Sequence, residues 1–508
     1  MNAPYLPLFV AVPLVASGLT ALIPGRLLHR VILLLMPLLS GAAGIWLLIR
    51  HLGDTPVLVA QVGGFVPGVA IPFVSDMLTS VMLTVTGLTT AIVLTFAVRT
   101  GESSLAFFSP LALILIAGVN GALLTGDLFN LFVFIEVMLL PSYALLAMTG
   151  TWRRLGVGRL FLTVNLVTSS IFLIGIALLY AAAGAVNIAV LEGAAADDPR
   201  VALAAAVILL ALVIKAGAVP VYGWLPRAYA GTSAMVMALF AGLHSKVALY
   251  AIYRVYSVVY DNDATWLPIL LAIALASIVV GSWSSFGGNS IRRVLSYQMV
   301  ASVGYILLGV AISTAAALAA GLFYMVHSIL VFGALILAAG AVEKTYGSGS
   351  LIRLANLLRR EKGVAWIFGL GLISLVGFPP SSGFWGKISL VMAAAQAEPI
   401  VAGVVISVIV LASIISLLAL QRLWHEVFWG PPMELYRPTD PLLHQGDPRR
   451  PVPLPDWVRI PAADLAPAGV MLALSLLVFL LAGPLWSVAA EAAAGLVDPT
   501  AYVEAVLP

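Results

Sequence analysis

No cysteine occurs in the 508 residues, which excludes disulfides, thiolate metal sites and cysteine nucleophiles. Charge is scarce as well: Asp, Glu, Lys and Arg make up 9% of the chain, against about 25% in a soluble globular protein, while hydrophobic residues make up 62%. Such a composition is that of a polytopic membrane protein. Nucleotide and hydrolase signatures are missing too. There is no dinucleotide fingerprint, P-loop, HExxH or GxSxG, and the six histidines show no haem-like pairing. No cofactor is therefore expected, and energy has to come from an ion gradient or from a redox partner. The net charge of +3 is small and its basic residues are sorted by topology, so no nucleic-acid partner is implied.

Apolar runs of about 20 residues each predict an all-α chain of about fourteen transmembrane helices. They lie near 4–24, 31–49, 77–98, 107–125, 129–149, 160–182, 201–226, 232–259, 265–285, 294–313, 317–342, 364–396, 400–429 and 467–487. With no basic residue ahead of it, the first is read as a retained span and not a signal peptide. Alternate loops then collect the basic residues: Arg26 and Arg30; Arg99; Arg153, Arg154 and Arg159; Arg227; Arg292 and Arg293; Lys344 to Lys362; and Arg422, Arg437, Arg449, Arg450 and Arg459. The other loops hold Arg50 and Arg200, with Arg254 near a helix end, and they carry Asp54, Asp127, Glu192, Asp197, Asp198, Asp261, Asp263 and Glu398. By the positive-inside rule the arginine loops face the cytoplasm and both termini face outside.

Five stretches follow from this layout. Residues 1–106 carry three helices and an external hairpin between Leu52 and Asp76, where glycines and prolines interrupt short apolar runs. Residues 107–259 and 260–429 each hold five helices, 430–466 form a proline-rich cytoplasmic loop, and 467–508 carry the last helix and a tail. The seventh and twelfth helices are broken by Gly/Pro clusters, AGAVPVYGWLP at Ala216 to Pro226 and GFPPSSGFWG at Gly377 to Gly386. Paired breaks in corresponding positions point to repeats with a transport site at the breaks. Five helices is an odd number, so helices 4–8 and 9–13 are expected to be inverted repeats.

Lysine is the second scarcity, with only five in the chain, and three of them, Lys215, Lys246 and Lys387, fall in apolar stretches. An ammonium at membrane depth costs a few kcal/mol, so each is a candidate functional group. Lys246 lies about 15 Å from either end of its span, too deep for snorkelling. Glu136 sits in TGDLFNLFVFIEVMLLP, about two turns below Asp127 and Asn130. It reads either as a neutral packing carboxyl or as a partner that switches the proton affinity of Lys215. His244 stands two residues before Lys246 and points to another face, so the two are not a metal pair. His327, flanked by Tyr324 and Ser328, is a third relay group because imidazole accepts and donates at different nitrogens. Ser296, Tyr297, Gln298, Ser302 and Tyr305 can hold water between titrating groups or serve as helix-packing glue. Asp127, His244, Tyr324 and Ser328 are accessory candidates; no metal site is expected.

The stretches GGFVPGVAIPFVSDMLTSVML, TGDLFNLFVFIEVMLLPSYALLA, VIKAGAVPVYGWLPRAYAGTSAMVMALFAGLHSKVALYAIYR, RRVLSYQMVASVGYILLG and GFPPSSGFWGK resemble the proton-translocating antiporter-like family over nearly the whole chain. That family comprises subunits of multisubunit Mrp-type cation/proton antiporters and the antiporter-like subunits of respiratory complex I and membrane hydrogenases. Within it the D-type subunits are most similar, and no long lateral-helix extension follows the last span, unlike the A-type and the longest complex I subunits. The resemblance implies that Glu136, Lys215, Lys246, His327 and Lys387 form a midplane proton relay. It also implies that partners in a hetero-oligomeric complex, H+ and Na+ as transported ions, and a bacterial-type cell membrane complete the function. The expected role is a non-enzymatic transporter subunit that drives Na+ export for pH and salt homeostasis. A proton-pumping subunit of complex I or a hydrogenase, and a non-transporting scaffold, remain as alternatives.

Overall fold

The computed structural model describes residues 3–53, 55–148, 152–437, 439–440, 445–446 and 451–508. Apolar runs fold as helices because a segment in lipid has to satisfy its own backbone hydrogen bonds. Helices α1 (Leu8–Leu22) and α2 (Arg26–His51) lead to a hairpin of β1 (Leu58–Val62) and β2 (Ile71–Ser75). Next come α3 (Met77–Thr100), α4 (Phe108–Leu124), α5 (Leu128–Ala147) and α6 (Trp152–Ala183). A one-turn α7 (Ala194–Asp197) precedes α8 (Pro199–Ala216), α9 (Trp224–Gly231), α10 (Ala234–Gly242) and α11 (His244–Val259). The remainder is α12 (Leu267–Ser284), α13 (Ile291–Ile312), α14 (Ala315–Tyr346), the short α15 (Leu357–Arg360), α16 (Lys362–Val376), α17 (Ser382–Ala394), α18 (Pro399–Phe428), α19 (Ala462–Leu480), α20 (Ala482–Val497) and α21 (Thr500–Val506). Among the described residues, 11 helical stretches are long and apolar enough to cross a membrane, and α1, α4, α16 and α20 are shorter apolar helices.

The antiparallel hairpin pairs Leu58 with Ser75 through Val62 with Ile71. Both chain ends dock on it: Ala3 N–H donates to Val59 O at 2.7 Å, and Gln61 Nε2 donates to Val506 O at 2.9 Å. The two ends therefore share one face of the molecule. Helix α3 starts beside the hairpin at its N-cap, Asp76, and its last turn contains Arg99, whose carbonyl accepts from Lys344 Nζ. Ion pairs Lys344–Asp464 (2.7 Å) and Arg292–Glu343 (2.8 Å) thus lie a helix length from the hairpin, on the opposite face. Arg449 and Arg450 of the arginine loops, and Asp54 opposite them, lie outside the described residues.

Helix α14 is the central post. It packs against α3, α10, α13, α16, α17, α19 and α20 and is buried along nearly its whole length.

Two helices are broken, each at a left-handed glycine. Helix α8 ends at Gly217 (φ +83°) and α16 at Gly377 (φ +96°), a conformation that costs glycine nothing. Each break then carries a cis peptide, Val219–Pro220 and Pro379–Pro380, before the chain resumes as α9 and α17.

Two features differ from the sequence expectation. The eighth span is also interrupted, at Leu243 (φ −115°, ψ −65°), so α10 and α11 meet just ahead of His244 and Lys246. The last span begins earlier, at Ala462, and turns at Leu481 into α20 and α21, which pack back across the molecule to the hairpin.

Candidate proton-relay site

Lys215 occupies the last turn of α8, where the helix dipole favours a cation, and is 7% exposed. Its Nζ lies 4.0 Å from Glu136 Oε1 on α5. The two are joined through Ser169 on α6: Lys215 Nζ donates to Ser169 Oγ at 3.0 Å, and Ser169 Oγ donates to the Glu136 carboxylate. At 4 Å such a charge pair is worth about 4 kcal/mol at an effective dielectric of about 20. The break itself is closed by Trp224 of α9, whose indole Nε1 donates to the end carbonyl of Ile214 at 3.0 Å, joining the Gly217 N–H on the same acceptor. Helix-end carbonyls are the orphans that need such donors.

His244, at the start of α11, lies within Coulombic range of Lys215. Its Nε2 pairs with Ser142 Oγ on α5 at 2.8 Å, and its ring packs 4.4 Å from that of Phe240. Lys215, His244, Trp224 and Asn165 line one small cavity with Ile135, Met138, Leu139, Val247 and Ala248. Lys246 faces the other way. It is 1% exposed, and no hydrogen bond or ion pair to its Nζ is found among the described residues. Its titratable neighbour is His327 on α14, within Coulombic range of both Lys246 and Lys387.

His327 is 1% exposed and pairs through Nδ1 with Ser382 Oγ at 2.8 Å; that hydroxyl lies 2.8 Å from Ser475 Oγ on α19. Its Nε2 has no partner among the described residues. Tyr324, one turn earlier, sits between the imidazole (5.1 Å) and the ring of Tyr305 (5.0 Å). Lys387 on α17 reaches back across its break: Nζ donates to Val376 O at 2.9 Å and to Ser413 Oγ on α18 at 3.0 Å, and lies 4.8 Å from the Tyr305 ring centre. A cleft between α17 and α18, with an empty volume of ≈ 670 Å³, is lined by Lys387 and Ser413.

The five principal candidates thus fall in one row: the partly exposed Glu136, then the buried Lys215, Lys246 on the far side of His244, His327 and Lys387. The accessory candidates divide. Tyr324 is in the row, whereas Ser328 bonds its own helix at Met325 O (2.8 Å), and Asp127 caps α5 by accepting from Asn130 N–H at 2.7 Å. Burial pushes the Asp127 carboxyl up, and the backbone N–H groups of Asn130 and Phe129 oppose that. Gln298 is tied between Ser285 (3.1 Å) and Ser416 (3.1 Å) and joins α13 to α18.

Sequence reasoning missed Ser142, Ser169, Ser382, Ser413 and Ser475, which hold the ionisable groups; their one signal is a hydroxyl inside an apolar run. Among the described residues no group of three or more His, Cys, Asp or Glu is arranged to hold a metal ion.

Residues 125–416 match the family described as NADH:quinone oxidoreductase/Mrp antiporter, TM. The chain is 32% identical over 461 residues to the D-type subunit of the Na(+)/H(+) antiporter of Alkalihalophilus pseudofirmus, covering 89% of this chain and 88% of that protein. It is 31% identical over 514 residues to the corresponding antiporter subunit of Bacillus subtilis, covering 98% and 99%. In the structure of the Mrp complex from Dietzia sp. DQ12-45-1b, one chain superposes with a TM-score of 0.94 at 42% identity, covering 99% of both.

Proposed function

This chain belongs to the NADH:quinone oxidoreductase/Mrp antiporter family, and on that premise we propose that it is the D-type, proton-translocating subunit of a multisubunit Na+/H+ antiporter in a bacterial cell membrane. The observation that carries the proton role is Lys246: an ammonium-bearing side chain 1% exposed, with no ion pair or hydrogen bond among the described residues. An unpaired buried charge is expensive, so a packing role would favour a neutral residue there. A group that alternates between charged and neutral is what the position suits.

The row works as a sequence of charge states. When Glu136 approaches Lys215 through Ser169, the charged form of the lysine is favoured; when they separate, its proton is released toward His244 and Lys246. His327 carries the proton on, because one nitrogen is held by Ser382 while Nε2 is free to accept. Lys387 ends the row against the α17–α18 cleft. The buried Ser302 hydroxyl, without a hydrogen-bond partner among the described residues, gives a water molecule a bridging position along it. The breaks relate two inverted five-helix repeats, helices 4–8 and 9–13 of a fourteen-span chain, and the hairpin face with both termini lies outside. In this reading the row carries protons, and the Na+ path is assigned to another part of the complex.

The test is Na+-dependent dissipation of an imposed pH gradient in vesicles holding the whole complex, wild type against Lys246→Ala at equal assembly. Wild type should respond to Na+ and the variant should not. A wild type indifferent to cations, but moving protons with electron transfer, would replace the antiporter reading with that of a redox-driven pump. Unchanged exchange in the variant would remove Lys246 from the path.

A further inference from the structure

A second buried charge cluster lies away from the row, at its hairpin side. Lys246, Tyr250 and Arg254 follow one another at spacings of four on α11 and so share one helix face, with about 12 Å between the first and the last. Arg254 is 3% exposed and pairs with Asp76, the N-cap of α3. Its guanidinium lies 5.8 Å from the ring centre of Tyr250 and 4.6 Å from that of Tyr502 on α21, a cation between two aromatic faces. Tyr250 is fixed in turn, its hydroxyl donating to Leu123 O at 2.6 Å and lying 2.8 Å from Thr79 Oγ1. Arg254 Nη1 is buried with no acceptor among the described residues. Tyr502 arrives from the far end of the chain and is held there by α21, which is itself tied to the hairpin through Gln61 and Val506.

A packing role explains the Asp76 pair but not the rest. The cluster stands in line with Lys246, at the face where the chain ends meet, and a fixed guanidinium in such a place repels hydronium and other cations. We propose that Arg254, Asp76 and Tyr250 are the closed gate of a proton route running along this face of α11 between Lys246 and the hairpin face, with Tyr502 as its cover. Tyr502 is then a positioning residue, acting through Arg254. The unpaired Nη1 is where water enters when the cover lifts, and α21 is the part that moves, a seven-residue helix seated by Tyr502 and Val506 and tied to the hairpin through Gln61. This inference rests on Lys246 being on the proton path.

The experiment measures passive proton leak in proteoliposomes of the whole complex, with an imposed pH gradient and no Na+. Tyr502→Ala should raise the leak by about tenfold. Tyr502→Phe keeps the ring over Arg254 and should stay at the wild-type rate. Adding Lys246→Ala to Tyr502→Ala should return the leak to the wild-type rate, which a mere packing defect would not do. Gln61→Ala unties α21 without touching the cluster, should leak in the same Lys246-dependent manner, and decides the matter if Tyr502→Ala does not assemble. An assembled variant with no added leak, or a leak that survives loss of Lys246, overturns the gate. Na+-driven exchange by wild type in the same vesicles is read separately: its absence would sink the antiporter reading, and its presence beside a tight Tyr502→Ala would sink the gate alone.

Discussion

The two broken helices share a backbone and differ in how they treat a buried lysine. At the first break, Lys215 stands before the glycine and meets a carboxylate 4.0 Å away through a bridging serine. At the second, Lys387 stands after the glycine and has dipoles instead: a helix-end carbonyl, a hydroxyl and an aromatic face. The capping task is redistributed as well. An indole N–H serves the orphan carbonyl of α8, and the lysine itself serves that of α16. One end of the row therefore holds a lysine that faces a carboxylate. The other holds one that meets neutral dipoles and a ring, beside an open cleft. Two breaks of similar backbone form need not do the same electrostatic work.

This contrast can be broken by substitution. Glu136→Gln removes the carboxylate paired with the row, and Na+-dependent exchange should fall by on the order of a thousandfold, in line with a pair worth about 4 kcal/mol. Lys387 has no equivalent carboxylate to remove among the described residues. Installing one tests the same point in reverse: Ser413→Asp should trap Lys387 in its charged form and slow exchange about tenfold. Faster exchange in that variant would mean that the lysine wants a counter-ion. Among the serines, Ser169→Ala should cost about tenfold, the scale of one charge-assisted hydrogen bond. Ser413→Ala should cost about threefold, because Val376 O and Tyr305 still face the ammonium. Equal losses in both would erase the distinction. Smallest of all, Trp224→Phe leaves Ile214 O with the Gly217 N–H alone, and should lower the thermal stability of the purified complex by about 1 kcal/mol with exchange retained.

Outside the row, the same logic sets a pH limit. Burial pushes the Asp76 carboxyl up, but the Arg254 guanidinium and the Thr79 N–H outweigh it and hold the carboxyl below its ordinary range. The stability this contributes is present in full above the unfolded value of about 3.9 and is lost as pH falls through the folded one. Thermal melts of the complex between about pH 5 and 3 should therefore decline, and Asp76→Asn should flatten that decline.

The ionisable groups of the row were legible because a charged residue in an apolar run stands out against a cost of several kcal/mol. The broken helices were legible because glycine and proline leave few other readings. The serines were not. A hydroxyl in a membrane helix usually bonds its own preceding turn, as Thr86, Thr90 and Ser328 do here, and nothing local distinguishes those from Ser169 or Ser413. Ser142 does both at once. The interruption at Leu243 was invisible as well, since the run from Ala234 to Val259 contains no proline, and tertiary packing sets where its ladder slips.

By itself, then, the sequence determined that the chain is a bundle of membrane helices, which two of them break, and which few side chains carry charge at depth. Those are local properties, fixed by hydrophobic run length and backbone preference. Only the tertiary structure decided that Lys215 has a carboxylate and Lys387 has none among the described residues, that His244 and Lys246 face different neighbours, and that Tyr502 returns to cover Arg254. Such pairings depend on how helices distant in sequence pack and rotate against one another, a quantity spread over every interface in the bundle and written in no single segment.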